Sequence, residues 1–250
     1  VRSKRRKRTA RARLAWCLVL LVGSAVGALL TWESLFLRLG ELRDPKEVRV
    51  LTVTTPEGPR RLVLGPQSPY WTPLSAISPL LVLCVVRSED AKFFQHAGFD
   101  WTQMQDSFET DLAEGGYKRG GSTITMQLAR NLFLWRRKSL PRKALELYLT
   151  WRLEHTLSKN RILELYLNAV EWGPGVYGIG EASRRYFGKP PSALTLGESA
   201  MLAAILPNPR RWNPERAPEV AVRRQQQLLE RLRRENAIQG APAASEPPRE

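Results

Sequence analysis

Apolar and polar positions divide the chain into one long hydrophobic block followed by periodic segments. Leu14 to Trp32 is an uncharged run of 19 residues. As a helix it would rise about 28 Å, close to the hydrocarbon thickness of a bilayer, so the pattern predicts one membrane-spanning anchor over residues 14–37. A cleavable signal peptide has a shorter apolar stretch that closes on small residues. This run closes instead with Leu29-Leu30-Thr31-Trp32, where the Trp suits a membrane interface. A Pro-, Gly- and Thr-rich connector over 38–70 follows, and the alternation in Val48–Val53 and Arg61–Leu64 predicts a short hairpin around Pro56-Glu57-Gly58.

From Ser78-Pro79 the period becomes helical, with Ser as a cap and Pro at the first helical position. Helices are predicted over Leu80–Phe94, Thr102–Glu114, Ser122–Leu134, Arg142–Leu157, Arg161–Trp172, Val176–Phe187, Leu196–Leu206 and Glu219–Arg234. The fold class expected for 71–234 is therefore all-α. Residues 235–250 are rich in Ala, Pro and Glu without periodicity and predict a disordered tail. No internal repeat occurs.

Charge adds an orientation. The net charge is +15, and the first 13 residues carry eight Lys and Arg with no acid, over half of the excess. Basic residues before a span place that end in the cytoplasm and the remainder across the membrane. Two Cys and two His exclude a disulfide scaffold and a zinc site, since no two of them lie at ligand spacing. Cys17, inside the apolar run, reads as a membrane-facing small hydrophobe.

Several residues carry candidate chemistry. On a helix from Leu80, one face reads Val82, Val85, Val86, Glu89, Phe93, His96, which sets a carboxylate in an apolar stripe. Burial there would raise its pKa and suit it to accept a proton from a hydroxyl near neutral pH. At an exposed shoulder the same Glu89 would merely pair with Lys92. Glu146 follows Lys143 and Arg142 by three and four residues. That spacing fits a surface ion pair, or a site shared with Arg130, Arg136, Arg137, Lys138, Arg142 and Lys143 that handles an anionic substrate.

Gly120-Gly121-Ser122-Thr123 opens a helix with Ser122 as cap, and its amides could hold a phosphate or form an ordinary capped turn. Asn131 to Arg137 suits a membrane interface or a basic helix end. Gly173-Pro174-Gly175-Val176-Tyr177-Gly178 formally matches a dinucleotide-binding motif. It follows a helical pattern and not a strand, and so reads as a helix-breaking loop. Gly188-Lys189 is likewise an accidental match to a nucleotide-binding loop.

The series Glu89-Asp90…Phe93-Phe94-Gln95-His96-Ala97-Gly98, Arg119-Gly120-Gly121-Ser122-Thr123-Ile124-Thr125-Met126-Gln127, Arg142-Lys143-Ala144-Leu145-Glu146 and Arg161-Ile162-Leu163-Glu164-Leu165-Tyr166-Leu167-Asn168 resembles, in order, the motifs of the family 51 peptidoglycan glycosyltransferases. Glu198-Ser199-Ala200-Met201-Leu202 fits a fifth element. With an anchor in front, the chain is similar to the monofunctional biosynthetic transglycosylases of that family. Met126 departs from the first of two usual glutamines, and Arg130 stands where Lys is common.

The resemblance implies a lysozyme-like helical domain that polymerises lipid II. Glu89 would be the general base for the acceptor's 4-hydroxyl and Glu146 the second catalytic carboxylate. Asp90, Phe93, His96, Ser122, Thr123, Gln127, Arg130, Lys138, Arg142 and Lys143 would line the substrate sites. Attack on the donor's anomeric carbon would proceed with inversion and expel undecaprenyl pyrophosphate. That leaving group is already anionic and needs positive charge more than a proton, which gives the basic residues of 130–143 a chemical reason.

No cofactor is implied, although a divalent cation, Mg or Mn, is compatible with the pyrophosphate. Implied partners are lipid II, the lipid-linked glycan strand, the membrane and other cell-wall synthesis proteins, with no nucleic acid. The implied location is the bacterial inner membrane, single-pass, with the catalytic domain on the periplasmic side. Neither Ser-x-x-Lys nor Lys-Thr-Gly occurs, so no transpeptidase activity is expected. The rival readings are a lytic enzyme of the same fold and a non-enzymatic basic membrane protein.

Overall fold

The computed structural model describes residues 16–17, 19–24, 27–28, 31, 39–56, 58–113, 121–135, 137, 139–216 and 218–235. The chain forms two compact units, Val1–Leu42 and Arg43–Glu250. In the first, the described positions between Trp16 and Thr31 are helical. Among the described residues no helix is long and apolar enough to cross a membrane. The remaining positions of the expected anchor, the basic leader over 1–13 and residues 236–250 of the expected tail lie outside the described residues.

The second unit opens with the hairpin, β1 (Arg49–Thr55) against β2 (Gly58–Leu64), antiparallel with Arg49 opposite Leu64 and Thr55 opposite Gly58. Alternation sets Leu62 and Leu64 inward and leaves Pro59 and Arg61 exposed. Arg60 ties the hairpin down through a bidentate pair with Glu181, at 3.0 and 2.8 Å.

Helices follow: α1 (Pro79–Glu89), α2 (Trp101–Ala113), α3 (Ile124–Phe133), α4 (Leu140–Thr156), α5 (Lys159–Ala169), then a small antiparallel pair, β3 (Glu171–Gly173) and β4 (Val176–Tyr177), and α6 (Ile179–Phe187), α7 (Leu196–Ile205) and α8 (Glu219–Arg234). Packing joins α1 to α7 and α7 to α8, while α3 lies against both α4 and α5. In α1, Leu81, Cys84 and Val85 are fully buried. Each such apolar side chain contributes about 1.5–3 kcal/mol by leaving water, more than the roughly 0.5 kcal/mol that a Val costs in helix propensity. Burial therefore makes this valine-rich segment a helix.

The side-chain caps come from the residues just before α3, α4, α5 and α7. Ser139 accepts from Arg142 N, Ser158 accepts from Arg161 N, and Thr195 with Glu198 forms a reciprocal capping box.

The structure corrects four expectations. The first helix ends at Glu89, five residues early, because Asp90 leaves the helical region at φ −161°. Phe93 and His96 therefore do not share a helix face with Glu89. The cap of α3 is Thr123 in place of Ser122. Ser78 does occupy the cap position of α1, but its hydroxyl donates to Leu194 O and not to its own helix. Finally, the helices expected over Arg161–Trp172 and Val176–Phe187 are interrupted by β3 and β4, and Gly178, at φ +82°, turns the chain from β4 into α6.

Candidate active site

Glu89 is the last residue of α1. Its side chain is partly exposed, yet its surroundings are dense enough that burial pushes its carboxyl above the usual range. A hydrogen bond from Gln127 and the positive fields of Arg224 and Arg130 work against that rise, while neighbouring Asp90 adds to it. Gln127 Nε2 donates to Glu89 Oε2 at 2.8 Å, and Tyr166 Oη donates to Gln127 Oε1 at 3.1 Å. Burial pushes the Tyr166 phenol well above its ordinary value, so it stays a donor. The other oxygen of Glu89 receives no hydrogen bond from the described residues.

The turn after Glu89 is stitched to the start of α3. Asp90, buried, accepts from His96 Nε2 at 2.8 Å and from the Ile124 amide at 3.0 Å. That amide is one of the donors left unpaired at any helix start, and the positive end of the helix dipole favours the carboxylate. The Gly98 amide donates to His96 Nδ1 at 3.1 Å, which fixes the neutral tautomer with its hydrogen on Nε2. Thr123 donates to Gly98 O at 2.7 Å. Gly98 itself sits at φ +92°, and a Cβ there would meet Thr150 and Glu154 side chains at 2.9 Å. Only glycine fits.

Several expected substrate contacts are thus occupied within the protein. Asp90, His96 and Thr123 spend their polar atoms on this clamp. Phe93 is fully buried, with Lys159 Nζ 4.5 Å from its ring centroid, so it packs in the core and lines no open site. Ser122 is partly exposed beside the clamp. Lys138, with Arg136, lies outside the described residues.

The second carboxylate is buried, with 1% of Glu146 exposed. Arg142 Nη1 donates to its Oε2 at 3.1 Å and Lys143 Nζ to its Oε1 at 2.6 Å. The exposed ion pair considered from spacing is excluded by this burial. Both oxygens hold cations, so Glu146 is built to position Arg142 and Lys143. Arg142 is itself nine-tenths buried, and its Nε carries no partner. A buried donor left unpaired costs about 1–3 kcal/mol.

α3 links the two carboxylates. It carries Gln127, which holds Glu89, and it packs on α4, which carries Glu146. Arg130, near the end of α3, bears on Glu89 and Tyr166 electrostatically and has no ion pair among the described residues. Beyond α3 the chain exposes Trp135 and, at the start of α4, Leu140 at 86% exposure.

Sequence reasoning missed Tyr166 and Arg224. Tyr166 lies inside a quoted motif, but nothing in its spacing tells that its hydroxyl reaches Gln127. Arg224 sits on α8, one of several arginines on a polar helix, and only the fold brings it near Glu89. Among the described residues no cluster of His, Cys, Asp or Glu could hold a metal ion.

The chain matches the family model described as Transglycosylase over residues 60–233. It is 49% identical over 161 residues to a biosynthetic peptidoglycan transglycosylase of Rhodospirillum centenum, covering 64% of this chain and 69% of that protein. A protein of the same description from Nitrobacter winogradskyi is 49% identical over 166 residues, 66% of this chain and 73% of its own. One from Laribacter hongkongensis is 45% identical over 162 residues, 65% of this chain and 71% of its own.

Proposed function

The chain belongs to the transglycosylase family, and on that premise we propose that it is a peptidoglycan glycosyltransferase that polymerises lipid II into glycan strands. The observation that carries the mechanism is Glu89, with one oxygen pinned by Gln127, the other without a hydrogen bond from the described residues, and a carboxyl raised by burial. A base of that kind is matched to taking a proton from a sugar hydroxyl. Glu89 removes the acceptor's 4-hydroxyl proton as the oxygen bonds to the donor's anomeric carbon. The bond from that carbon to the pyrophosphate oxygen breaks on the opposite face, and undecaprenyl pyrophosphate leaves with the electron pair.

The leaving group gains charge where Arg130, Arg142, Lys143 and, by sequence, Lys138 supply cations. Fixed positive groups stabilise developing charge without reorganising. Glu146 contributes indirectly, because its charge holds Arg142 and Lys143 in place. The cation cluster disfavours a lytic enzyme, whose sugar leaving group takes up a proton and develops no charge for fixed cations to stabilise. The reading assigns no resident cofactor, and a divalent cation, Mg or Mn, belongs with the substrate's pyrophosphate.

The helical domain is read as lysozyme-like, on the periplasmic side of the inner membrane, held there by residues 14–37 with the basic leader inside. Trp135 and Leu140 would touch the bilayer that holds the substrate. The test is incubation of the full chain with labelled lipid II followed by muramidase digestion. A high-molecular-weight product that collapses to disaccharide units is expected. No polymer from lipid II, or soluble fragments released from purified strands, would overturn the reading.

A further inference from the structure

A second group of cations lies beside the end of α1, the helix that carries Glu89. Arg87 and Ser88 of α1, Ala204 of α7, and Arg224, Gln227 and Arg231 of α8 border an open groove of about 180 Å³. Its polar side chains offer three guanidiniums, a hydroxyl and an amide. Arg224 is fixed by donating from Nε to Ala204 O at 3.3 Å and by lying 5.8 Å from the Trp212 ring centroid. Arg231 Nη1 donates to Arg87 O at 3.3 Å, which joins the ends of the two helices.

One carboxylate already sits at the mouth. Glu235 accepts from Arg231 Nε at 2.8 Å and stands 3.5 Å from Arg87 Nε. The two outer arginines therefore have the spacing to hold a carboxylate between them, and after that pairing the groove still carries more positive than negative groups. The groove has room for a carboxylate together with the atoms that bear it.

We infer that this groove is a second anion-binding site, separate from the Arg142 and Lys143 cluster, and that it takes a carboxylate carried by the peptide of the acceptor substrate. The inference rests on the proposed reading of Glu89 as the acceptor's base. Position decides for the acceptor: Arg87 and Ser88, which line the groove, directly precede Glu89 at the end of α1, whereas the cations assigned to the leaving group stand on α3 and α4. Glu235 is then a resident stand-in that the substrate's carboxylate displaces.

The test uses the full chain and compares lipid II with an analogue whose peptide carboxyls are converted to primary amides. The double substitution Arg87→Gln and Arg231→Gln removes two charge-assisted donors, and KM for lipid II is expected to rise about tenfold with kcat within about twofold. KM for the amidated analogue should not move. Glu235→Gln should lower KM for lipid II and leave the analogue unchanged. Arg231→Lys retains the charge but loses the planar fork, and should raise KM for lipid II by less than Arg231→Gln does.

An equal rise for both substrates overturns the inference, as does an unchanged KM in a variant that melts normally. A rise seen only in phosphatidylglycerol vesicles, and absent in phosphatidylcholine, would assign the groove to a lipid headgroup and also overturn it. If the double variant melts early, Arg231→Gln alone decides by the same comparison. Absence of polymer from the unmodified chain would instead overturn the reading of Glu89, and this inference with it.

Discussion

Gln127 donates from Nε2 to Glu89 Oε2 across 2.8 Å and so joins α3 to the end of α1. The amide cannot turn over without cost. Its carbonyl faces the Tyr166 hydroxyl at 3.1 Å, and a reversed amide would point that carbonyl at the carboxylate. Tyr166 thus fixes Gln127, and Gln127 fixes one oxygen of Glu89. The other oxygen receives no hydrogen bond from the described residues, and on the proposed reading it meets the substrate hydroxyl.

This relation sets the pH dependence. The hydrogen bond from Gln127 lowers the Glu89 carboxyl against the larger upward effect of burial. In Gln127→Met that downward influence is gone, the carboxyl rises further, and the ionised base forms only at higher pH. The acid limb of kcat/KM should move to higher pH, with a larger loss of activity at pH 6 than at pH 8. A pH–rate profile between 5 and 9 measures it, and an unmoved limb would count against Glu89 as the base.

Arg142 and Glu146 separate charge from geometry. Arg142→Lys keeps a cation next to Glu146 but removes the guanidinium edge whose Nε has no partner. Its turnover should fall by about 10²-fold, the scale seen when one donor to developing charge is lost. Glu146→Ala should act on stability as well as on turnover. It strands a buried Arg142, and removing one partner of a buried pair costs about 3–5 kcal/mol. Chemical denaturation with steady-state kinetics tells the two effects apart; similar stability losses in both variants would refute the distinction.

The clamp gives a third expectation. Gly98→Ala places a Cβ at φ +92° against Thr150 and Glu154, so the loop must shift and release Thr123 and His96 together. A loss of at least about 1 kcal/mol is expected from the backbone conformation alone. kcat should fall with KM little changed, because the shift moves Glu89 relative to α3 without removing a substrate contact. A melting temperature equal to that of the unmodified chain would show the turn to be slack.

The helices were legible because their apolar periods and their Ser, Thr and Pro boundaries are local signals. α8 runs from Glu219 to Arg234 as its pattern predicts. What failed depended on contacts far along the chain. A helix continued past Glu89 is locally reasonable, and it is Asp90, drawn to the Ile124 amide 34 residues on, that ends it. β3 and β4 are too short to alternate visibly, and their glycines read as a loop. At the site, Glu89 stood out as a carboxylate in an apolar stripe, and residue order made its motif recognisable. Spacing could not distinguish a buried Glu146 from a surface pair, nor tell that His96 and Phe93 face inward.

Glu89→Gln should lose activity and gain stability. The folded protein raises the Glu89 carboxyl above its value of about 4.5 in an unconstrained chain, so folding favours the protonated form. Its stabilising contribution is complete below the unfolded value and is lost as pH rises through the folded one. Above both, the ionised group is a cost. An amide keeps an oxygen to accept from Gln127, carries no charge, and escapes that cost. The variant should therefore melt higher than the unmodified chain at pH 7–8, by about 2–4 °C for each kcal/mol recovered in a domain of this size. The difference should shrink as pH falls below about 4.5, where the unmodified carboxyl is neutral as well. Polymerisation of lipid II should fall by about 10²–10⁴-fold, because an amide accepts no proton from the attacking hydroxyl. Paired melting curves at pH 4 and pH 7.5, alongside the polymer assay, measure both effects. A variant that melts lower at pH 7.5 and retains turnover would mean that Glu89 is an ordinary structural carboxylate.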